Sequence, residues 1–172
     1  MDKTPRKPDR KFIQYPEIHP LLRTPDSKLI CLPSATKNAW LRMLRSGDYT
    51  QGRSALRRIV RINEQDTEAF CCMGVYADLV KPTDWIEPTS IYSGSAYEWN
   101  HSRGTFPAWA FPESAKAAFQ QRTISHEPPY TEEVYRILMK ANDGQDAELP
   151  GSKNHIAPAT FEQIALWIER YL

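Results

Sequence analysis

EAFCCMGVYADLV, residues 68–80, decides the fold. Phe70, Cys71, Met73, Val75, Ala77 and Leu79 fall on nearly every side of a helix built on this stretch. A helix that is apolar all round belongs in an interior. Thr67 stands where an N-cap is wanted, and Glu68 lies in the first turn, where an acid is favourable. Lys81-Pro82-Thr83 ends the pattern, because proline cannot continue a helix. The reading is a buried central helix over 68–80. Asp78 is the exception on it, an acid near the C-terminal end, where the helix dipole disfavours negative charge.

Upstream, Leu56, Ile59, Val60 and Ile62 form an apolar run whose β-branched content favours a strand. Gly47-Asp48 and Gln51-Gly52 read as turns before it. A helix is predicted over 37–46, with Thr36 as N-cap and Gly47 as its stop. Trp40, Met43 and Leu44 share one face of it, and Arg42 and Arg45 point elsewhere. Residues 1–33 carry six prolines and many basic residues and read as an extended arm, with Lys28–Leu32 as a strand or as its anchor on the core.

Downstream, residues 84–111 hold Trp85, Tyr92, Tyr97, Trp99 and Trp109 in short pieces divided by Ser-Gly, Arg-Gly and Pro, which suggests hairpins. Pro112 opens a short helical stretch, and His126-Glu127-Pro128-Pro129 is a loop. Residues 132–143 are a helix or a strand, with Thr131 as a possible cap, and 144–159 form a loop. Thr160 and Gln163 make a capping box, followed by Phe161, Ile164, Ala165, Ile168, Tyr171 and Leu172 at the helical period. The reading is α+β: an arm over 1–33, then one domain over 34–172, with two or three main helices on a small, mainly antiparallel sheet.

The chain has 172 residues, 41% of them hydrophobic, and a net charge of +1, which fits one globular domain. No apolar run is long enough to span a bilayer, so no membrane partner is expected, and MDKTPRKPDRK lacks the apolar stretch of a secretory leader. The three cysteines, an odd count with two adjacent, suggest a reducing compartment, hence the cytoplasm. Cys31, Cys71 and Cys72 are a poor disulfide framework. His19, His101, His126 and His155 are scattered and no CxxC pair occurs, so neither a metal nor a cofactor is expected. Charge divides along the chain. Residues 1–62 hold 14 Lys/Arg against 5 Asp/Glu, a balance of +9, and residues 63–172 hold 8 against 16, a balance of −8. Either the halves neutralise each other or the basic half, arm included, faces nucleic acid.

Three blocks, LRSGDYTQGRSALR (44–57), FCCMGVYADL (70–79) and KANDG…TFEQIALWIE (140–169), resemble an uncharacterised family of small bacteriophage and prophage proteins. The chain differs from that pattern in Ala141, in its long arm and in the 144–159 insert. The resemblance implies a phage or mobile-element origin and brings no activity with it.

The chemistry-bearing residues fall in these blocks. Cys71 or Cys72 is a candidate nucleophile, which requires a stabilised thiolate. The order Gln51, Cys71, His126, Asn142 imitates a papain-like peptidase, although the local signatures of that class are missing. Free cysteines are also common as small buried apolar groups. Asn142-Asp143-Gly144 is either a plain turn or the polar lip of a pocket. Gln51, Arg53, Arg57, Asp78, Asn142, Asp143 and Trp99 are the candidate ligand-binding set, with Arg53, Arg57 and Arg58 able to grip a phosphate. Tyr92, Tyr97, Trp99, Phe106, Trp109 and Phe111 are stacking platforms, partner anchors or plain core. Two functions follow. The first is a phage-encoded accessory protein that binds a host or phage protein or a small nucleotide, inhibiting or sequestering a defence factor or its signal without catalysis. The alternative is a small hydrolase or transferase using a cysteine or the Gln51/Asn142/Asp143 corner.

Overall fold

The computed structural model describes residues 19–22, 32–89, 91–99, 130–144 and 156–172, with side chains of the 130–144 segment described from Ile137 onward. The largest departure from the sequence reading lies before the central helix. Residues 65–70 are not its first turns. They form a strand, and the helix α2 is Cys72–Val80. Asn63 and Glu64 both take left-handed backbone, with φ 50 and 66, the conformation of a two-residue turn whose twist suits a hairpin. That turn folds the strand Gln65–Phe70 back on Arg57–Ile62, and Thr67 pairs with Val60 instead of capping a helix. The cap is Cys71, whose Sγ accepts from the Gly74 N–H at 3.3 Å.

With Thr50–Gln51 as β1, Arg57–Ile62 as β2 and Gln65–Phe70 as β3, the sheet order is β1-β3-β2. The β2–β3 pair is antiparallel and β1–β3 is parallel. Gln51-Gly52 is therefore the end of a strand and not a turn. Gly52 is needed because a Cβ there would lie 2.9 Å from that of Ala69. The outer edge of β2 bonds to residues 94–97: Ile59 N–H donates to Ser95 O at 2.8 Å, and Ile59 O accepts from Gly94 N–H at 2.8 Å. A short antiparallel pair, β4 (Trp85–Ile86) with β5 (Glu98–Trp99), continues from there, in keeping with the hairpins expected after residue 84.

Helix α1 is Ser34–Arg45. It begins earlier than its sequence signal, with Pro33 at the cap and Thr36 inside the first turn, and Gly47 (φ 82) follows its end as expected. Helix α3 is Tyr130–Asp143, which settles the helix-or-strand alternative and places Thr131 within the helix. Helix α4 is Phe161–Tyr171, and its Thr160/Gln163 capping box is present. The protein is thus α+β, four helices with small mixed and antiparallel sheets among the described residues. The core joins Trp40 and Leu44 of α1, Met73, Val75 and Tyr76 of α2, Leu138 of α3, and Ile164 and Ile168 of α4. Burying each large apolar side chain of this kind stabilises by about 1.5–3 kcal/mol. Of the arm, Leu22 and Leu32 enter the core, and Leu32 N–H donates to Leu172 O at 2.9 Å. No helix of the described residues is long and apolar enough to cross a membrane.

Four ion pairs made by three arginines show how charge balances across this fold. Arg45 meets Glu162 and Glu169, Arg57 meets Glu68, and Arg61 meets Asp66. In each case a base from residues 1–62 meets an acid from residues 63–172, as the neutralising alternative requires.

Candidate functional site

The three sequence blocks meet at one buried amide. Asn142, at the end of α3, is 0% exposed. Its Oδ1 accepts from the Cys72 N–H at 3.1 Å and from Gln51 Nε2 at 3.3 Å. Its Nδ2 donates to Gly52 O at 2.8 Å and to Asp143 Oδ1 at 3.0 Å. Both lone pairs and both protons of the amide are thereby used. Gln51 also donates to Ala159 O at 2.7 Å, and Asp143 Oδ1 accepts from the Ser54 N–H at 3.1 Å. The network serves backbone groups that a closed core would otherwise strand, among them a first-turn N–H of α2. Of the papain-like set, Gln51 and Asn142 do come together beside Cys72, but they bind backbone and each other. His126 lies outside the described residues, as do Cys31, Phe106, Trp109, Phe111 and residues 1–18 of the arm.

The thiols do not have the environment of a nucleophile. Cys71 is fully buried, and although its Sγ sits at a helix N-terminus, desolvation dominates and pushes the thiol up to about 12 against the hydrogen bond from Gly74. Burial likewise raises Cys72 well above the ordinary thiol value, and the nearby Cys71 and Asp143 add to it. A thiolate needs the opposite shift. Among the described residues no group of three or more His, Cys, Asp or Glu could hold a metal ion.

A second polar cluster gathers around Arg57 of β2 and Glu68 of β3. The Arg57 guanidinium is 4.0 Å from the ring centroid of Tyr97, 5.2 Å from that of Phe70 and 5.4 Å from that of Trp85. Its Nη2 pairs with Glu68 Oε1 at 2.6 Å, and Tyr97 donates to the same oxygen at 2.7 Å. Asp78 accepts from the Tyr49 hydroxyl at 2.6 Å and from Trp85 Nε1 at 2.9 Å. The unfavourably placed acid of α2 is therefore held by two aromatic donors. Trp99 is buried, with Nε1 donating to Lys81 O at 3.1 Å, and Tyr97 is buried too. Of the candidate ligand-binding set, Gln51, Asn142 and Asp143 belong to the hub, and Arg57 and Asp78 to the aromatic cluster. Trp99 is in the core, and Arg53 is at the surface. Sequence reasoning overlooked Tyr49 and Glu68. The strand register, which puts Glu68 opposite Ile59 and next to Arg57, brings in Glu68, and Tyr49 enters through its hydroxyl bond to Asp78.

Glu68 supplies a pH test. Burial pulls its carboxyl up, but the hydrogen bonds from Tyr97 and Arg57 and the charge of Arg57 outweigh this and hold it below the usual value. A carboxyl depressed in the folded state adds stability that is present above its unfolded value and is lost as pH falls through the folded one. The expected result is a wild-type urea midpoint that drops on acidification below about pH 4. Glu68→Gln should be less stable at neutral pH and show a smaller drop. Parallel pH profiles for the two proteins would contradict the assignment.

Surface features complete the site. Ile91 and Tyr92 are each 63% exposed. They adjoin the turn in which Ser95 N–H donates to Tyr92 O at 2.9 Å. The sequence model of a family described as Domain of unknown function (DUF8296) matches residues 32–172. No curated protein and no solved structure matches the chain.

Proposed function

We propose that this chain, which belongs to the DUF8296 family of domains of unknown function, is a stoichiometric binding protein. In this reading it is a phage-type accessory protein that holds a host defence factor, or the nucleotide signal of one, in the cytoplasm without transforming it. One observation carries the reading. Gln51, Asn142 and Asp143 satisfy one another and the nearby backbone around the Asn142 amide, beside two buried thiols with raised pKa. What the described surface offers a partner is Ile91, Tyr92 and arginines without acidic neighbours, which is the equipment of a binder. The resemblance of the blocks to small phage proteins supplies the setting. The ion pairs that neutralise Arg45, Arg57 and Arg61 weigh against general nucleic-acid binding by the basic half.

The test joins native mass to thiol labelling. Protein purified gently from bacterial lysate is expected to carry a nucleotide-sized or protein-sized adduct that is released unchanged at about one equivalent. Cys71 and Cys72 should resist iodoacetamide until the fold is opened. Rapid native labelling of either cysteine, or conversion of a bound compound by far less than one equivalent of protein, would falsify the reading in favour of the hydrolase or transferase.

A further inference from the structure

The arginines of β2 and the loop before it are not equivalent. Arg57 and Arg61 each hold an acid. Arg58 and Arg53 have none among the described residues. The Arg58 side chain makes one hydrogen bond, from Nη1 to the Arg53 carbonyl at 3.3 Å. Its Nε–H is buried with no acceptor among the described residues. Arg58 is half-buried, and its buried Nε–H is a donor left unmade, which is a costly arrangement. Arg57 Nε is also buried without an acceptor, but Glu68 and three rings surround that guanidinium.

The surroundings of Arg58 are built small. Its strand partners are Ala69 on one side and Ala96 on the other, so no large side chain from directly opposite covers the guanidinium on that face. Gly94 takes left-handed backbone (φ 102), and among the described residues a Cβ there would find only Arg58 Nη2, 3.8 Å away, within 4 Å. Ser54, also left-handed (φ 61), follows Arg53 in the loop whose carbonyl reaches Arg58. Asp143, the acid bonded to this loop, accepts from Ser54 N–H and Asn142 Nδ2. At the same edge of β2 the turn carrying Tyr92 is pinned. Tyr92 N–H donates to Ser95 Oγ at 3.2 Å and Ser95 N–H to Tyr92 O at 2.9 Å, while Gly94 and Ser95 bond to Ile59. An aromatic residue is thus kept exposed on a pinned turn whose Gly94 lies near the Arg58 guanidinium.

We infer that Arg58 and Arg53 form an anion site for the phosphate of a nucleotide whose base stacks on Tyr92. The inference rests on the binding-protein reading and names its ligand class. Arginine suits the phosphate because its planar fork gives paired, charge-assisted hydrogen bonds. Tyrosine suits the base because every base has a face to stack. Arg57, which the sequence groups with these two, is excluded by its bond to Glu68.

The test is calorimetric titration of the full chain with ADP, a cyclic purine dinucleotide and inorganic pyrophosphate. At least one nucleotide should bind more tightly than pyrophosphate. Arg58→Ala should weaken nucleotide binding roughly tenfold or more, since a charge-assisted bond is lost. Arg58→Lys, which keeps the charge and loses the fork, should fall between. Tyr92→Ala should weaken the nucleotide and leave pyrophosphate unchanged. Should Arg58→Ala fail to fold, Arg53→Ala at its exposed position and Arg58→Lys carry the same test. Absence of binding by all three compounds, or wild-type affinity in folded Arg58 variants, overturns the site. Equal binding of pyrophosphate with no effect of Tyr92→Ala overturns the nucleotide assignment. A protein adduct without nucleotide binding removes this inference and leaves the binder reading intact. Turnover of ADP that depends on Arg58 does the reverse.

Discussion

Gly74→Ala is expected to cost this protein much of its stability, although helix propensity alone argues for the opposite. Inside a helix alanine is better than glycine by about 1 kcal/mol. Gly74 lies in the first turn of α2, and a Cβ there would stand 1.8 Å from the Leu56 carbonyl oxygen and 2.7 Å from its carbon. That carbonyl is fixed, because it accepts from the Cys71 N–H at 3.1 Å. The obstacle is backbone and not the end of a flexible side chain. Either α2 or the strand entrance at Leu56 must move, and both belong to the core around Met73, Val75 and Tyr76. Overpacking at such a contact costs roughly 3 kcal/mol or more. That is a large part of the roughly 5–15 kcal/mol that holds a domain together. The thermal midpoint should fall by roughly 6–12 °C for a chain of this size. Gly47→Ala is the control. Gly47 has φ 82 and nothing among the described residues within 4 Å of its Cβ position, so its cost is backbone strain of about 1 kcal/mol. If Gly74→Ala melts no lower than Gly47→Ala, the close approach of α2 to Leu56 is not real.

That contact also marks where the sequence was legible and where it was not. The apolar surround of residues 72–77 announces a buried helix, and the helix is there. The capping box of α4 is a local signal satisfied by local atoms, and it too is there. The start of α2 lies four residues later than its sequence signal, because Thr67-Glu68 imitates a cap while the competing signal is weak. The Asn63-Glu64 turn lacks the glycine that usually advertises left-handed backbone, and six paired residues of β2 outweighed the local preference of Thr67. Gly52 was read as a turn residue, yet it is required by the approach of Ala69, a contact between strands that the chain order does not display. The site divides in the same way. Polar residues placed beside apolar blocks demand partners, so Gln51, Asn142 and Asp143 could be singled out from sequence. That they would satisfy one another, and that Arg57 would be taken by Glu68 while Arg58 would not, depends on register. Alternate residues of a strand face opposite sides of the sheet, so neighbouring arginines in β2 have different fates.

Replacing Asn142 should separate the structural hub from any chemical one. Asn142→Ala removes the acceptor for Cys72 N–H and the donor for Gly52 O, both in the interior. Each stranded group costs roughly 1–3 kcal/mol, so a loss of roughly 2–6 kcal/mol is expected in urea unfolding, before any cavity is counted. Asn142→Asp keeps the shape and changes one pole. The Nδ2 that donates to Gly52 O and to Asp143 Oδ1 becomes an oxygen. If that oxygen carries charge, it faces two acceptors in a dry site. If it carries a proton, it still donates to one of them. The buried acid should therefore hold its proton well above the unfolded value of about 3.9. Below that value both states are protonated and the variant should be nearest to wild type. As pH rises, the unfolded chain releases its proton first, and the deficit grows until the folded value is passed. The difference in unfolding free energy between wild type and Asn142→Asp should thus be small near pH 4 and largest near neutrality. A pH-independent difference would mean that the amide is not enclosed as described. A catalytic role makes a different demand: a variant at this position would lose activity while keeping its fold. Asn142 can be silenced only by opening the junction of β1, α2 and α3, whereas Arg58, beyond that junction, should be replaceable with the fold intact.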